Sequence, residues 1–192
     1  MNEHRLLLGG YVTAPRAARQ DWQDAEILPE QLITVSECLT GGDHGPEFLA
    51  WHTGRVGDGP LLAVGFHPDD VIEFIAEVTA DFAGANGGEL PDGERPECLE
   101  LLASGTPMPA EARLRGFEVI GVEYALSSLH SWLCHGYEGD VAEALDIRPN
   151  DCGLHDTHQQ AIAVLDWIEA LPADRAPEPV YWTVAAVADL AS

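Results

Sequence analysis

Apolar residues recur at helical spacing in two long segments of the chain. Residues 67–82 place an apolar side chain every three or four positions, at Val71, Ile75, Val78 and Phe82, which is typical of one buried helix face. Residues 154–172 predict a second helix, because Thr157 and Gln160 fit a capping box. The buried side of that helix is predicted to comprise Ala161, Val164, Leu165, Ile168 and Leu171. A shorter helix is predicted at 139–147.

Other segments are short, apolar and bounded by turn residues, which is typical of strands. The predicted strands lie at 5–14, 32–39, 47–56, 60–66, 116–124 and 179–190. The last of these is predicted either as a strand alone or as a strand that runs into a short helix. The run "SLHSWLCHGYE" (128–138) is predicted to pair with 116–124 as a hairpin. Together these elements predict an α+β fold, mainly an antiparallel sheet with two or three helices packed on one face.

Residues 84–116 have the least regular pattern. "GANGGELPDGERPE" is rich in Gly and Pro, and a short helix is predicted only at "CLELLASG" (98–105). A segment of this length and composition predicts either a functional loop or a flexible connector. Because apolar residues are spread along the rest of the chain, residues 1–192 are interpreted as a single α+β domain with a flexible Gly/Pro-rich segment around 84–116.

The charge balance changes the functional picture. Asp and Glu number 33, the nine cationic residues are all Arg, and the formal net charge is −24. Such a surface repels nucleic-acid phosphates and anionic lipids, so neither a nucleic acid nor a membrane is expected as partner. A basic protein partner would be attracted instead. A coding bias toward Ala, Gly and Arg would also produce this composition, and both explanations stay open.

Several classes of catalytic and cofactor site are excluded by missing residues. Without Lys the chain cannot form a P-loop or a pyridoxal phosphate Schiff base. It also lacks the G-x-S-x-G motif of many hydrolases and the EF-hand repeat. No catalytic and no cofactor-binding residue is therefore predicted. We expect neither a signal peptide nor a transmembrane helix, and hence a cytoplasmic protein with free thiols.

Imidazole and thiol groups cluster in the C-terminal half. Five of them form the candidate zinc ligand set: His130, Cys134, Cys152, His155 and His158. These are ligand types that Zn²⁺ prefers, although no C-x2-C or H-x3-H pair is present. The competing interpretation is that these residues belong to the core and to a helix entrance. A thiol nucleophile is less favoured, because Cys134 and the adjacent His135 would point to opposite faces of a strand.

Aromatic and acidic residues share the same part of the chain. Aromatic side chains beside carboxylates are common in interfaces with cationic partners. The predicted partner-binding residues are Trp132, Tyr137, Glu138, Asp140, Asp151 and Asp156. The alternative is that the tryptophans are core residues and the acids are solvated turns and caps.

A resemblance to known proteins covers less than a quarter of the chain. The segment 116–157, which contains "GFEVIG", "HSWLC" and "NDCGL", resembles C-terminal segments of small acidic bacterial proteins. Some of these look like immunity proteins of polymorphic toxin systems. The resemblance implies an inhibitor or accessory protein, and it implies no catalytic residue.

Two main classes of function follow from these observations. The first is a non-enzymatic acidic binding protein, such as an immunity-type inhibitor of a basic toxin or nuclease, without a cofactor. The alternative is a small zinc protein or enzyme that uses the His/Cys cluster at 130–158. A weaker third hypothesis is a small-molecule binding protein in which 84–116 covers a pocket.

Overall fold

A computed structural model describes residues 10–14, 16–40, 51, 54, 77, 80–85, 98–102, 110, 112–123 and 128–189. Its main element is a five-stranded antiparallel sheet. In chain order the strands of this sheet are β1 (Gly10–Thr13), β4 (Cys98–Leu102), β5 (Arg113–Val122), β6 (Leu129–Ser131) and β7 (Tyr181–Asp189). Strands β2 (Arg16–Ala18) and β3 (Gln31–Ile33) form a separate antiparallel pair.

The two long strands β5 and β7 hold the sheet together. The order across the sheet is β1-β4-β7-β5-β6, and the β5–β7 ladder runs from Arg113 opposite Asp189 to Val122 opposite Tyr181. Most of their residues are buried, because apolar side chains cover both faces of this centre. A bulge interrupts the ladder between Leu114 and Gly116.

Three helices have both of their ends described: α1 (Glu37–Thr40), α2 (Glu138–Leu145) and α3 (His158–Glu169). Helix α3 begins with the predicted capping box of Thr157 and Gln160. Its buried side chains are Ala161, Val164, Leu165 and Ile168, which confirms the predicted face apart from the half-buried Leu171. These residues share one apolar cluster with residues of β5 and β7, so α3 covers one face of the sheet.

The opposite face of the sheet carries a second apolar cluster. It joins side chains of β1, β3, β5, β6 and β7 to the turn that precedes α3. The α+β prediction is confirmed by this arrangement of antiparallel sheets and helices. None of the helices in the described ranges is long and apolar enough to span a membrane.

Four local predictions are corrected. The strand predicted at 32–39 ends at Ile33, and Glu37–Thr40 form helix α1. The helix predicted at 98–105 is wrong, since Cys98–Leu102 form strand β4. The strand predicted at 47–56 is wrong at Trp51 and Gly54, which are helical. The hairpin at 128–138 pairs with β5 only through β6, after which Trp132–His135 form a 3₁₀ helix.

Other predictions are described only in part. Within the helix predicted at 67–82, the structure describes residues 77 and 80–82, and all of them are helical. The helix continues from there to residue 85. The strand predicted at 60–66 lies outside the described residues. Of the segment 84–116, the structure describes 84, 85, 98–102, 110 and 112–116, and its flexibility stays a prediction.

Candidate functional site

The predicted zinc ligands of the hairpin lie in two separate environments. His130 is half-buried on β6, where its Nε2 lies 3.1 Å from Oε1 of Glu123. Cys134 lies in the 3₁₀ helix, and its Sγ is 2.7 Å from the hydroxyl oxygen of Ser36. A hydroxyl and a carboxylate therefore occupy the positions beside these two side chains.

The remaining three predicted ligands are also apart. Cys152 is buried and its Sγ accepts a hydrogen bond from Arg115 at 3.0 Å. His155 is fully buried, with its ring 5.0 Å from that of Trp132. His158 is exposed at the start of α3. Within the ranges that the structure describes, no three His, Cys, Asp or Glu side chains are grouped to hold a metal ion. Zinc binding stays a prediction, to be decided by the metal content of the purified protein.

The surroundings of Cys134 do not favour a nucleophilic thiol. Burial raises the pKa of Cys134 to about 11, against a smaller opposing effect of the Ser36 hydrogen bond. The buried carboxylate of Glu118 raises this pKa further. A thiol with such a pKa is protonated at neutral pH, and the thiolate is the reactive form.

We expect Cys134 in the folded protein to react with iodoacetamide at least ~100-fold more slowly than the exposed Cys38 at pH 8. The reason is that about one Cys134 in a thousand is a thiolate at this pH. Peptide mapping after timed alkylation measures both rates. In urea the two cysteines should react alike, and equal rates in the folded protein would contradict the burial described here.

Half of the predicted partner-binding residues lie inside the protein. Trp132, Tyr137 and Glu138 are buried, so their side chains cannot form a surface for a partner, and that part of the prediction is corrected. Trp132 fills the core, and the hydroxyl of Tyr137 donates to the carbonyl of Arg175 at 2.6 Å. The acidic residues Asp140, Asp151 and Asp156 are exposed, and their role in binding a partner stays a prediction.

Glu138 supports a surface element that sequence analysis did not select. Its Oε1 accepts a hydrogen bond from the backbone N–H of Asp24 at 2.8 Å. The carboxylate sits in the first turn of α2, where the helix dipole stabilises negative charge. Asp24 belongs to residues 19–30, which connect β2 to β3 and are called here the Trp22 loop.

The Trp22 loop is fixed at several points. The N–H of Arg19 donates to the carbonyl of Glu30 at 2.8 Å, which closes the loop. The buried side-chain amide of Gln23 donates to the carbonyl of Leu133 at 2.8 Å. Leu28 is buried in the same apolar cluster as α3. Buried polar and apolar contacts thus hold the loop on the 3₁₀ helix and α2.

Trp22 itself projects from this fixed loop. Its side chain is 56% exposed, and one edge of its ring lies beside the backbone of Gly136. The loop and the neighbouring α2 also carry exposed carboxylates: Asp21, Asp24, Glu26, Glu30, Asp140 and Glu143. The carboxylate of Asp140 is paired with Arg175. The sequence signal that could have indicated this site is a tryptophan between aspartates in "QDWQDAE". The sequence alone does not show that this tryptophan is exposed.

An aromatic group anchors residues 172–180 next to α2. The ring of His135 stacks on Tyr137 at 5.2 Å, and His135 Nε2 lies 3.0 Å from Glu178. Arg175 pairs with Asp140. Burial lowers the pKa of His135, and the charge of Glu178 opposes this, so the imidazole acts here as a packing group.

Comparisons with protein-family models, curated proteins and solved structures found no match to this chain.

Proposed function

We propose that this protein is a non-enzymatic binding domain for a basic protein partner, with Trp22 at the centre of the interface. The observation that carries the proposal is a tryptophan that is 56% exposed on an anchored loop, which also carries exposed carboxylates. Only Trp22 and Leu114 are exposed large hydrophobic side chains in the described part of the chain. A solvent-exposed indole on a fixed loop gains free energy when a partner covers it.

The exposed tryptophan on this surface is a residue type that protein interfaces favour. Tryptophan is among the residues most enriched at interface hot spots, where surrounding polar contacts exclude water. The exposed carboxylates of the same loop, Asp21, Asp24 and Glu26, would contact Arg or Lys side chains of the partner. The bonds of Gln23 and Asp24 already fix the loop, so little conformational entropy is lost when a partner binds.

The global charge supports the same class of partner. A net charge of −24 attracts a basic protein over long range and raises its association rate. The resulting affinity should fall as salt rises, because exposed charges are screened within ~8 Å at physiological ionic strength. An immunity-type inhibitor of a basic toxin or nuclease is the specific form that the resemblance of residues 116–157 suggests.

The test compares the two exposed hydrophobic side chains. Basic proteins captured from the source cell's lysate at low salt would be identified, purified and titrated against wild type, Trp22→Ala and Leu114→Ala. We expect Trp22→Ala to weaken binding at least ~30-fold, the effect of one hot-spot residue, and Leu114→Ala to leave affinity unchanged. Both side chains are exposed, so neither variant should lose stability.

Capture alone would not support the proposal, since any basic protein adheres to an acidic one. Equal affinity of wild type and Trp22→Ala for every purified partner would overturn the Trp22 interface. If the partner is an enzyme, the inhibitor form also requires that one equivalent of wild-type protein abolishes its activity. Unchanged partner activity in the saturated complex would reject the inhibitor form and leave a binding domain.

A further inference from the structure

A groove of about 460 Å³ lies between the start of β5 and the turn before α3. One wall is residues 113–115, and the other contains Asn150, Asp151, Cys152 and Asp156. No residue of the Trp22 loop lines it, so it is separate from the proposed protein interface. Its volume lies within the range of small-molecule sites.

The two walls are held in fixed positions. A Cβ on Gly116 would lie 2.7 Å from Cβ of Leu154 and 2.8 Å from the carbonyl oxygen of His155, so only glycine allows this close approach. Phe117 and His155 exchange two backbone hydrogen bonds of 2.8 Å. The groove is therefore formed before any ligand arrives, which lowers the entropic cost of binding.

Asn150 completes the wall of the turn. Its side-chain amide donates to the carbonyl of Arg115 at 3.0 Å and to Asp156 at 3.1 Å. Its oxygen accepts from the N–H groups of Cys152 and Leu154 at 3.0 and 3.2 Å. All the hydrogen-bonding capacity of this amide is used within the protein, so it shapes the groove and is not available to a ligand.

The charges of the groove divide into satisfied and available groups. Arg115 donates to Cys152 and pairs with Asp189 at 3.3 Å. Within the described residues, the side chains of Arg113 and Asp151 make no hydrogen bond or ion pair, and both are exposed. Three groups of the groove are thus available to a ligand: the cation of Arg113, the anion of Asp151 and the 43% exposed side chain of Leu114. Arg113 and Asp151 lie on different walls.

We propose that the groove binds a small zwitterion with an aliphatic side chain, either a free amino acid or a short peptide. Arg113 binds the carboxylate, for which a guanidinium offers two parallel donors. Asp151 binds the ammonium group, with Asp156 close by on the same turn. The aliphatic side chain packs on Leu114. A purely anionic ligand would be repelled by the two aspartates, and a purely cationic ligand would leave Arg113 unpaired.

The experiment titrates ¹⁵N-labelled full-length protein with leucine and with two analogues that each lack one charge. 4-Methylpentanoate lacks the ammonium group and 3-methylbutylamine lacks the carboxylate. We expect leucine to shift amide signals of residues 113–116 and 150–156 saturably, and each analogue to bind at least ~10-fold more weakly. Leu-Leu serves as a second probe. Stronger binding of Leu-Leu than of leucine identifies a peptide ligand, and the reverse identifies a free amino acid.

Matched variants test the two charged contacts. Arg113→Gln and Asp151→Asn should each weaken binding at least ~10-fold. Arg148→Gln and Asp174→Asn remove the same charges from exposed positions outside the groove. These two control variants should bind leucine as tightly as wild type. The proposal is overturned if neither leucine nor Leu-Leu gives saturable shifts, if an analogue binds as well as leucine, or if the groove variants bind like their controls. All four substituted side chains are exposed, and thermal melts check that the variants fold.

Discussion

Replacing Gly116 with alanine is expected to lower the free energy of unfolding by ~3–5 kcal/mol, because two costs add. The first is backbone strain, since Gly116 has φ of +155°, a conformation that residues with a Cβ rarely adopt. The second is overlap, since the new Cβ would lie 2.7 Å from Leu154 and 2.8 Å from the carbonyl of His155. Backbone atoms cannot rotate away as a flexible side chain would, so β5 and the turn must separate.

Gly84 provides the matched control for the same chemical change. It is exposed within the helical residues 80–85, and a Cβ there would meet no atom within 4 Å. Gly84→Ala should therefore raise stability by ~0.5–1 kcal/mol, the usual gain at a helical site. Urea denaturation measures both variants. A loss below ~1 kcal/mol for Gly116→Ala would show that the turn does not press on β5 as described.

The free energy of unfolding should depend strongly on pH through His155. The imidazole is fully buried against Trp132. Burial lowers the pKa of His155 from 6.5 to about 4, and the nearby charge of Asp156 opposes this only in part. In the unfolded chain the same group keeps its ordinary pKa. Between these two values the unfolded state binds a proton that the folded state excludes.

The direction of the effect follows from this difference. Above pH 6.5 His155 is neutral in both states, and its contribution to stability is fully present. As the pH falls from 6.5 to 4, the unfolded state gains the proton first, and stability decreases by ~3 kcal/mol in total. Protonation of carboxylates acts in the opposite sense, because it relieves the repulsion within a chain of charge −24. The His155 contribution must therefore be isolated by difference.

His155→Phe isolates it, since phenylalanine keeps an aromatic ring against Trp132 and cannot bind a proton. Relative to wild type, this variant should gain ~3 kcal/mol between pH 7 and pH 4. His158→Phe, at the exposed start of α3, is the control and should show no such gain. A constant difference between wild type and His155→Phe across this range would mean that burial does not lower the pKa of His155.

The elements that local sequence fixes were predicted well. The capping box of Thr157 and Gln160 and the apolar face of α3 depend on residues within one helix. The strand at 116–124 and the one at 179–190 were visible because long apolar runs bounded by turns are typical of buried strands. Both lie at the centre of the sheet, where burial on two faces makes this signal strongest.

Elements fixed by distant contacts were not predicted. The local sequence of β4 is typical of a short helix. The segment forms a strand because it pairs with β1 and β7, which are remote from it in sequence. The Trp132–His135 segment alternates like a strand. A 3₁₀ helix forms there because the Ser131 side chain accepts the N–H of Leu133 and Gly136 ends the turn with φ of +68°.

The candidate site shows the same limit. The clustering of imidazole and thiol residues along the chain suggested that His130, Cys134 and Cys152 could share a metal. Their side chains contact Glu123, Ser36 and Arg115 instead. Trp132, one of the predicted partner-binding residues, fills the core as the alternative interpretation required, and the exposed tryptophan is Trp22. Composition cannot distinguish these two, because exposure depends on which face the tertiary contacts leave uncovered.

The position of β7 within the sheet has a consequence for synthesis of the chain. Strand β7 separates β4 from β5 and pairs with both, yet it follows them in sequence by many residues. On the ribosome, β4 and β5 are made while the strand that joins them is missing, and the β5–β6 hairpin and α3 can form first. The sheet closes only after Asp189 has left the exit tunnel, so the contacts that decide its topology form late and over long loops.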